Sequence, residues 1–167
     1  MTRTQKTALR GMLIAVAFVL SWLEAQLPPL AMVPGVKLGI ANIAIISVLY
    51  LLGGGQALLV NLLRITLTAV LFGNFNSFLF SMAGGMLSLL VMVILKKSGH
   101  FSIVGVSVAG GVFHNVGQIT AAVFLMDTTA IYYYLPVLLI FGIVTGIIIG
   151  LMGGYVTQRV YPVVGEE

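Results

Sequence analysis

The chain has 167 residues, 60% of them hydrophobic and 7% charged, with a formal net charge of +4 and a mean hydropathy of +1.16. A soluble domain carries about 25% charged residues, so this chain cannot clothe a water-facing surface, and its length suits one membrane domain with no second, soluble one. Cysteine is absent, which excludes disulfides, thiolate metal sites and cysteine nucleophiles; the positive charges gather at the chain ends and one loop, a topology signal and not a nucleic-acid patch.

In chain order, the first apolar run, 8–27, follows Arg3, Lys6 and Arg10. It carries Trp22 and Glu24 and no A-x-A-like site between Trp22 and Pro28, so it reads as a retained helix and not a cleaved signal peptide. Further spans are expected over 37–52, 56–72, 78–95, 101–126 and 135–160. The breakers between them are Pro28-Pro29 and Pro34-Gly35, then Gly53-Gly54-Gly55, Gly73-Asn74, Lys96-Lys97-Ser98-Gly99 and Asp127-Thr128-Thr129. A spanning helix needs about 20 apolar residues, and the second run is the shortest. The expected architecture is an all-α membrane protein, a single domain of six transmembrane helices. An even number of spans brings both termini to one side. Arg3, Lys6, Arg10, Lys96, Lys97 and Arg159 then share that side and only Lys37 lies opposite, so the positive-inside rule makes the termini cytoplasmic. Trp22 and Tyr132-Tyr133-Tyr134 suit interfacial aromatic belts.

Small residues mark seams. Gly142, Gly146, Gly150 and Gly154 form one stripe, and the first span holds Gly11-x-x-x-Ala15 and Ala17-x-x-x-Ser21-x-x-x-Ala25. Such spacing lets helices approach closely in lipid, either within the bundle or against another membrane subunit.

The candidate site rests on polar residues stranded in apolar runs. Arg64 lies about 12 Å into its helix, and a charge near the bilayer centre costs at least roughly 2.5–3.5 kcal/mol unless it faces a partner or ligand. Asn61, Arg64 and Thr68 share one helical face, as do His114 and Gln118. Glu24, Asn42, Asn74 and Asn76 belong to the same outer half of the membrane, and Asn115 adjoins His114. Substrate contacts are expected from Arg64, His114 and Gln118, with Asn42, Asn61, Lys37, Glu24 and Asn115 as further candidates. The competing readings are structural: an internal pairing of Arg64 with Glu24 or helix carbonyls, a hydrogen-bonded core His114, Asn42 as a helix cap, Asn74 and Asn76 as turn formers, Lys37 as a solvated loop residue. The apolar, proline-rich segment 27–37 has the make-up of a lid or a surface plug. Two cations, Lys37 and Arg64, against Glu24 lean the site towards an anionic ligand. No P-loop is present. Asp127 is the sole aspartate, so the carboxylate pair that holds Mg²⁺ in diphosphate chemistry is missing. No metal, cofactor or catalysis is expected of the chain.

Three segments carry a resemblance: Val33-Pro34-Gly35-Val36-Lys37-Leu38-Gly39-Ile40-Ala41-Asn42-Ile43, Phe72-Gly73-Asn74-Phe75-Asn76-Ser77-Phe78-Leu79-Phe80-Ser81, and His114-Asn115-Val116-Gly117-Gln118. In these the chain resembles the bacterial family called Gx transporter, or heptaprenyl diphosphate synthase component I. That family looks like the six-helix substrate-binding S components of energy-coupling factor (ECF) transporters. The resemblance implies a multi-pass protein of the bacterial cell membrane that takes a small molecule from the outer side beneath the first outer loop. It also implies docking, through Gly11 and Ala15, on a transmembrane coupling subunit driven by two ATPases. An accessory, non-catalytic role beside heptaprenyl diphosphate synthase, in isoprenoid or quinone metabolism, is the alternative.

Overall fold

The computed structural model describes residues 3–26 and 39–164. Six α-helices account for most of them: α1 (Arg3–Gln26), α2 (Asn42–Leu52), α3 (Gly54–Phe72), α4 (Phe75–Ser98), α5 (Ile103–Met126) and α6 (Leu135–Val164), with a 3-10 turn at Thr129–Tyr134. Among the described residues, five helices are long and apolar enough to cross a membrane. Their outward faces carry large apolar side chains such as Val70, Phe124, Ile140, Ile148 and Leu151, a surface that only lipid or a partner can cover. The chain is a multi-pass membrane protein.

The second span departs from expectation. The described helix has 11 residues, about 16 Å of rise, so α2 by itself is shorter than a hydrocarbon core of about 30 Å. It is the heart of the packing. Six consecutive residues, Ala44 to Leu49, are buried, as befits a helix apolar on every side. Helices α1, α3 and α6 all pack on α2, and the series α3–α4–α5–α6 closes into a ring through it, with α1 laid against α3 and α2. Of the three glycines expected to break the chain, only Gly53 does so. Its φ of 89° ends α2 and starts α3 in a single residue, a backbone state that side chains disfavour. Gly54 and Gly55 continue as the first turn of α3.

One end of the bundle is a dry core: Leu13, Ile45, Val48, Leu49, Val60, Leu89, Met92, Val106 and Ile149 pack together. Because lipid tails are as apolar as these residues, burial alone does not hold membrane helices together; close backbone contact does. The α6 glycine stripe supplies that contact and faces α5. A Cβ at Gly146 would sit 2.6 Å from Val108 Cα, and one at Gly150 would sit 2.7 Å from Val104 Cα. The stripe is therefore internal packing and not a docking surface. The look-alike triplets Ala83-Gly84-Gly85 and Ala109-Gly110-Gly111 do equivalent work. Gly84 meets α5 while Gly85 meets α3, and Gly110 meets α4 while Gly111 meets α6. Neighbouring residues point about 100° apart on a helix, so two adjacent glycines let one helix approach two partners.

Lys96, a topology signal in the sequence, also has a structural partner. Its Nζ donates to Leu49 O at 2.5 Å and lies 4.9 Å from the centre of the Tyr50 ring. It satisfies one of the last four carbonyls of α2, which have no intrahelical donor, at the negative end of the helix dipole.

The two small-residue seams of α1 separate cleanly. Leu13, Ala17 and Ser21 are buried, and Ser21 Oγ donates to Ala17 O at 2.8 Å. Gly11 and Ala15 lie on the exposed face together with Met12, Val16, Val19 and Trp22, and nothing lies within 4 Å of a Cβ built at Gly11.

Candidate binding site

At the end of the bundle away from the dry core, Ser21 and Glu24 of α1, Gly39, Asn42 of α2, Arg64, Ile65, Thr68 and Ala69 of α3, Ser77 and Ser81 of α4 and His114 of α5 enclose a cavity of about 60 Å³. Four residues singled out from sequence, Glu24, Asn42, Arg64 and His114, thus meet in one hollow although they come from four helices.

Arg64 is held from behind. Its Nη2 donates to Asn61 Oδ1 at 2.9 Å, and Asn61 Nδ2 donates to Gly85 O at 3.1 Å. Asn61 is 1% exposed and is not among the residues lining this cavity; it is a positioning residue, three places before Arg64 on the same face. Gly85 makes this possible, since a Cβ there would lie 3.1 Å from Asn61 Nδ2. A guanidinium has five N–H donors in a planar fork, and Arg64 Nε is buried without a hydrogen-bond partner among the described residues, as is Thr68 Oγ1 one turn on. A buried donor left unmade costs about 1–3 kcal/mol, so the arrangement is suited to a guest that accepts hydrogen bonds.

Glu24 is near enough to Arg64 to act on it electrostatically, yet its Oε1 accepts from the Gly39 backbone N–H. That bond ties the end of α1 to the start of α2. Gly39 sits at φ 70° with Asn42 and Ile149 pressed against it, and its carbonyl accepts from Asn42 N at 2.7 Å. Asn42 is not the cap of α2: the capping position is Ala41, with no side-chain cap hydrogen bond. The Asn42 side chain faces the cavity instead.

Two expected contacts lie elsewhere. Asn115 is buried and turned to the far side of α5, where its Nδ2 donates to Leu138 O at 2.6 Å, over the bare surface of Gly142. It fastens α5 to α6. Gln118 lines a second, larger cavity of about 470 Å³, walled by Asn74, Asn76, Ser77, Phe80, Ser81, Ile119, Ala122, Met126, Ile131, Tyr134 and Leu138 as well. Asn74 is the cap of α4, accepting from Ser77 N at 2.9 Å. Lys37 and the 27–37 segment expected as a lid lie outside the described residues.

Ser77 and Ser81 escaped notice as site residues in the sequence. The signal was available: two hydroxyls one helical turn apart in an otherwise apolar run. Nothing in the periodicity distinguished them from surface serines.

A family model for heptaprenyl diphosphate synthase component I matches residues 13–156. The chain belongs to that family. No curated protein and no solved structure matches it. In this component I protein the matched stretch takes in every described wall residue of both cavities. It excludes the first turns of α1, Gly11 among them, and the last turns of α6.

Proposed function

We propose that this component I protein is the substrate-binding subunit of an ECF-like importer in the bacterial cell membrane, and that it captures a small anionic or amphipathic molecule from the outer side. The observation that carries the reading is Arg64, held by Asn61 yet with Nε unpartnered among the described residues, on the wall of a polar cavity shared with Glu24, Asn42 and His114. A planar guanidinium matches the two oxygens of a carboxylate or phosphate, and in a low-dielectric interior that pairing is strong. The basic residues at the opposite end of the bundle support cytoplasmic termini, which turns the cavity outward.

Capture alone moves nothing uphill. With no P-loop in the sequence, energy comes in this reading from a coupling subunit with two ATPases, docked on the exposed Gly11 and Ala15 face of α1. Catalysis is left to other chains in this reading, because the sole aspartate, Asp127, leaves no carboxylate pair to hold Mg²⁺.

The family description favours a second reading, a non-catalytic accessory subunit of heptaprenyl diphosphate synthase. One experiment separates them. The protein is purified from membranes with its native partners and analysed by mass spectrometry for small molecules and for polypeptides. Importer function predicts an Arg64-dependent small molecule and ATPase-linked partners. Recovery of the synthase with no ATPase-linked subunit, and no Arg64-dependent small molecule, supports the accessory role instead.

A further inference from the structure

The two cavities are neighbours with unlike walls. The polar one draws on α1 to α5 and has about 60 Å³. At roughly 10–15 Å³ for each enclosed water, that is room for a few waters or one anionic group. The second is built from α4, α5, the 3-10 turn and α6, has about 470 Å³, and falls within the roughly 300–1,000 Å³ usual for organic ligands. Phe80, Ile119, Ala122, Met126, Ile131 and Leu138 make it largely apolar. Ser77 and Ser81 line both, and His114 and Gln118, one turn apart on α5, line one each. Hydroxyl, imidazole and carboxamide side chains thus lie where the two cavities adjoin.

We propose that the two cavities form one bipartite site for an amphipathic anion, with the acidic head against Arg64 and an apolar body of several carbons between α4, α5 and α6. This rests on the reading of the Arg64 cavity as a substrate site and narrows its substrate class. Neither half suffices alone. The polar hollow has room for an acidic head and little of a carbon chain, and the apolar one offers no cation to an acidic head. The shared serines place the junction of head and body at the first two turns of α4. A ligand so placed bridges the Arg64 side of the bundle and the α5–α6 side, and its chain length becomes a specificity determinant.

The test uses the full chain in nanodiscs of phosphatidylcholine and two photoreactive probes, decyl phosphate with a diazirine at the chain end and ethyl phosphate with a diazirine on the ethyl group. Labelled residues are mapped by mass spectrometry. Decyl phosphate is expected to label Ile119, Ala122, Met126 or Ile131, and Arg64→Gln is expected to cut that labelling roughly tenfold or more, as loss of a charged hydrogen-bond partner does. Ala122→Phe, which fills the apolar cavity, should abolish decyl labelling there while ethyl phosphate still labels the Ile65 and Ala69 wall. Ile119→Trp serves the same purpose should Ala122→Phe fail to fold. Equal decyl labelling of the apolar cavity in wild type and Arg64→Gln means that bilayer chains merely enter it, and overturns the proposal. Arg64-dependent ethyl labelling without decyl labelling of the apolar cavity overturns the bipartite site and leaves the substrate-binding reading standing. Labelling by neither probe that depends on Arg64 overturns both.

Discussion

Asn61 holds Arg64 in place: its Oδ1 accepts from Arg64 Nη2 at 2.9 Å while its Nδ2 donates to Gly85 O at 3.1 Å. The arginine is thereby fixed to α4 as well as to its own helix, and its orientation towards the cavity is a property of the α3–α4 contact. Asn61→Leu removes both bonds. We expect a loss of about 1–3 kcal/mol in stability and weaker ligand retention, read by thermal unfolding in detergent and by mass spectrometry of the co-purified ligand. Undiminished retention in a folded Asn61→Leu protein would show that Arg64 needs no such support.

Arg64→Ala should abolish ligand retention with the bundle intact. Truncation removes a costly buried charge but leaves Asn61 Oδ1 without its donor and Glu24 without that cation, so the variant is expected to keep its helices and lose about 1–3 kcal/mol of stability. Size-exclusion behaviour and helical circular dichroism check the fold. A folded Arg64→Ala protein that still retains its ligand would remove Arg64 from the site.

Asn115 separates a structural role from a binding one. Asn115→Leu loses the bond to Leu138 O and should lower stability by about 1 kcal/mol. Retention per folded molecule should not change, because Asn115 lines neither cavity. Selective loss of binding at normal stability would restore Asn115 as a ligand contact.

Glycines on the two kinds of helix face should respond oppositely. Gly146→Leu drives a side chain into the Val108 backbone, 2.6 Å from the new Cβ, and should sharply reduce the yield of folded protein. Gly11→Leu meets nothing within 4 Å and should leave the isolated protein unchanged, while weakening co-purification with the coupling subunit. Intact co-purification would place the docking surface elsewhere.

Lys96→Met should cost about 1–2 kcal/mol, since it strips the charged donor from Leu49 O at the end of α2. Its exposed neighbour provides the control: Lys97→Met should leave the midpoint of thermal unfolding where it is. Equal effects of the two substitutions would mean that the charge matters only for topology.

Much of this was legible before any coordinates. Runs of apolar residues in lipid can only be helices, so the limits of α3, α4, α5 and α6 fall within a few residues of those expected, and a charge as costly as Arg64 had to face inward. Periodicity also placed Asn61, Arg64 and Thr68 on one face. It could not say what that face would meet. His114 and Asn115 are adjacent in sequence, yet one turns to the polar cavity and the other to α6, because neighbouring residues diverge by about 100° and the choice between them belongs to the packing of α4 and α6 around α5. Gln118 shares the face of His114 but lies one turn further along, beyond Ser81, in a different cavity.

Composition and hydropathy by themselves determined the membrane class, the helices and the need for a buried polar centre, since each follows from the free energy of placing a residue type in hydrocarbon. Only the tertiary structure decided that the shortest helix is the middle of the core, that the α6 glycines look inward, and that four polar residues from four helices share a hollow beside an apolar one. Those facts depend on which helix neighbours which, and in lipid that is settled by the fit of backbone to backbone, a property of pairs of helices that no single segment carries.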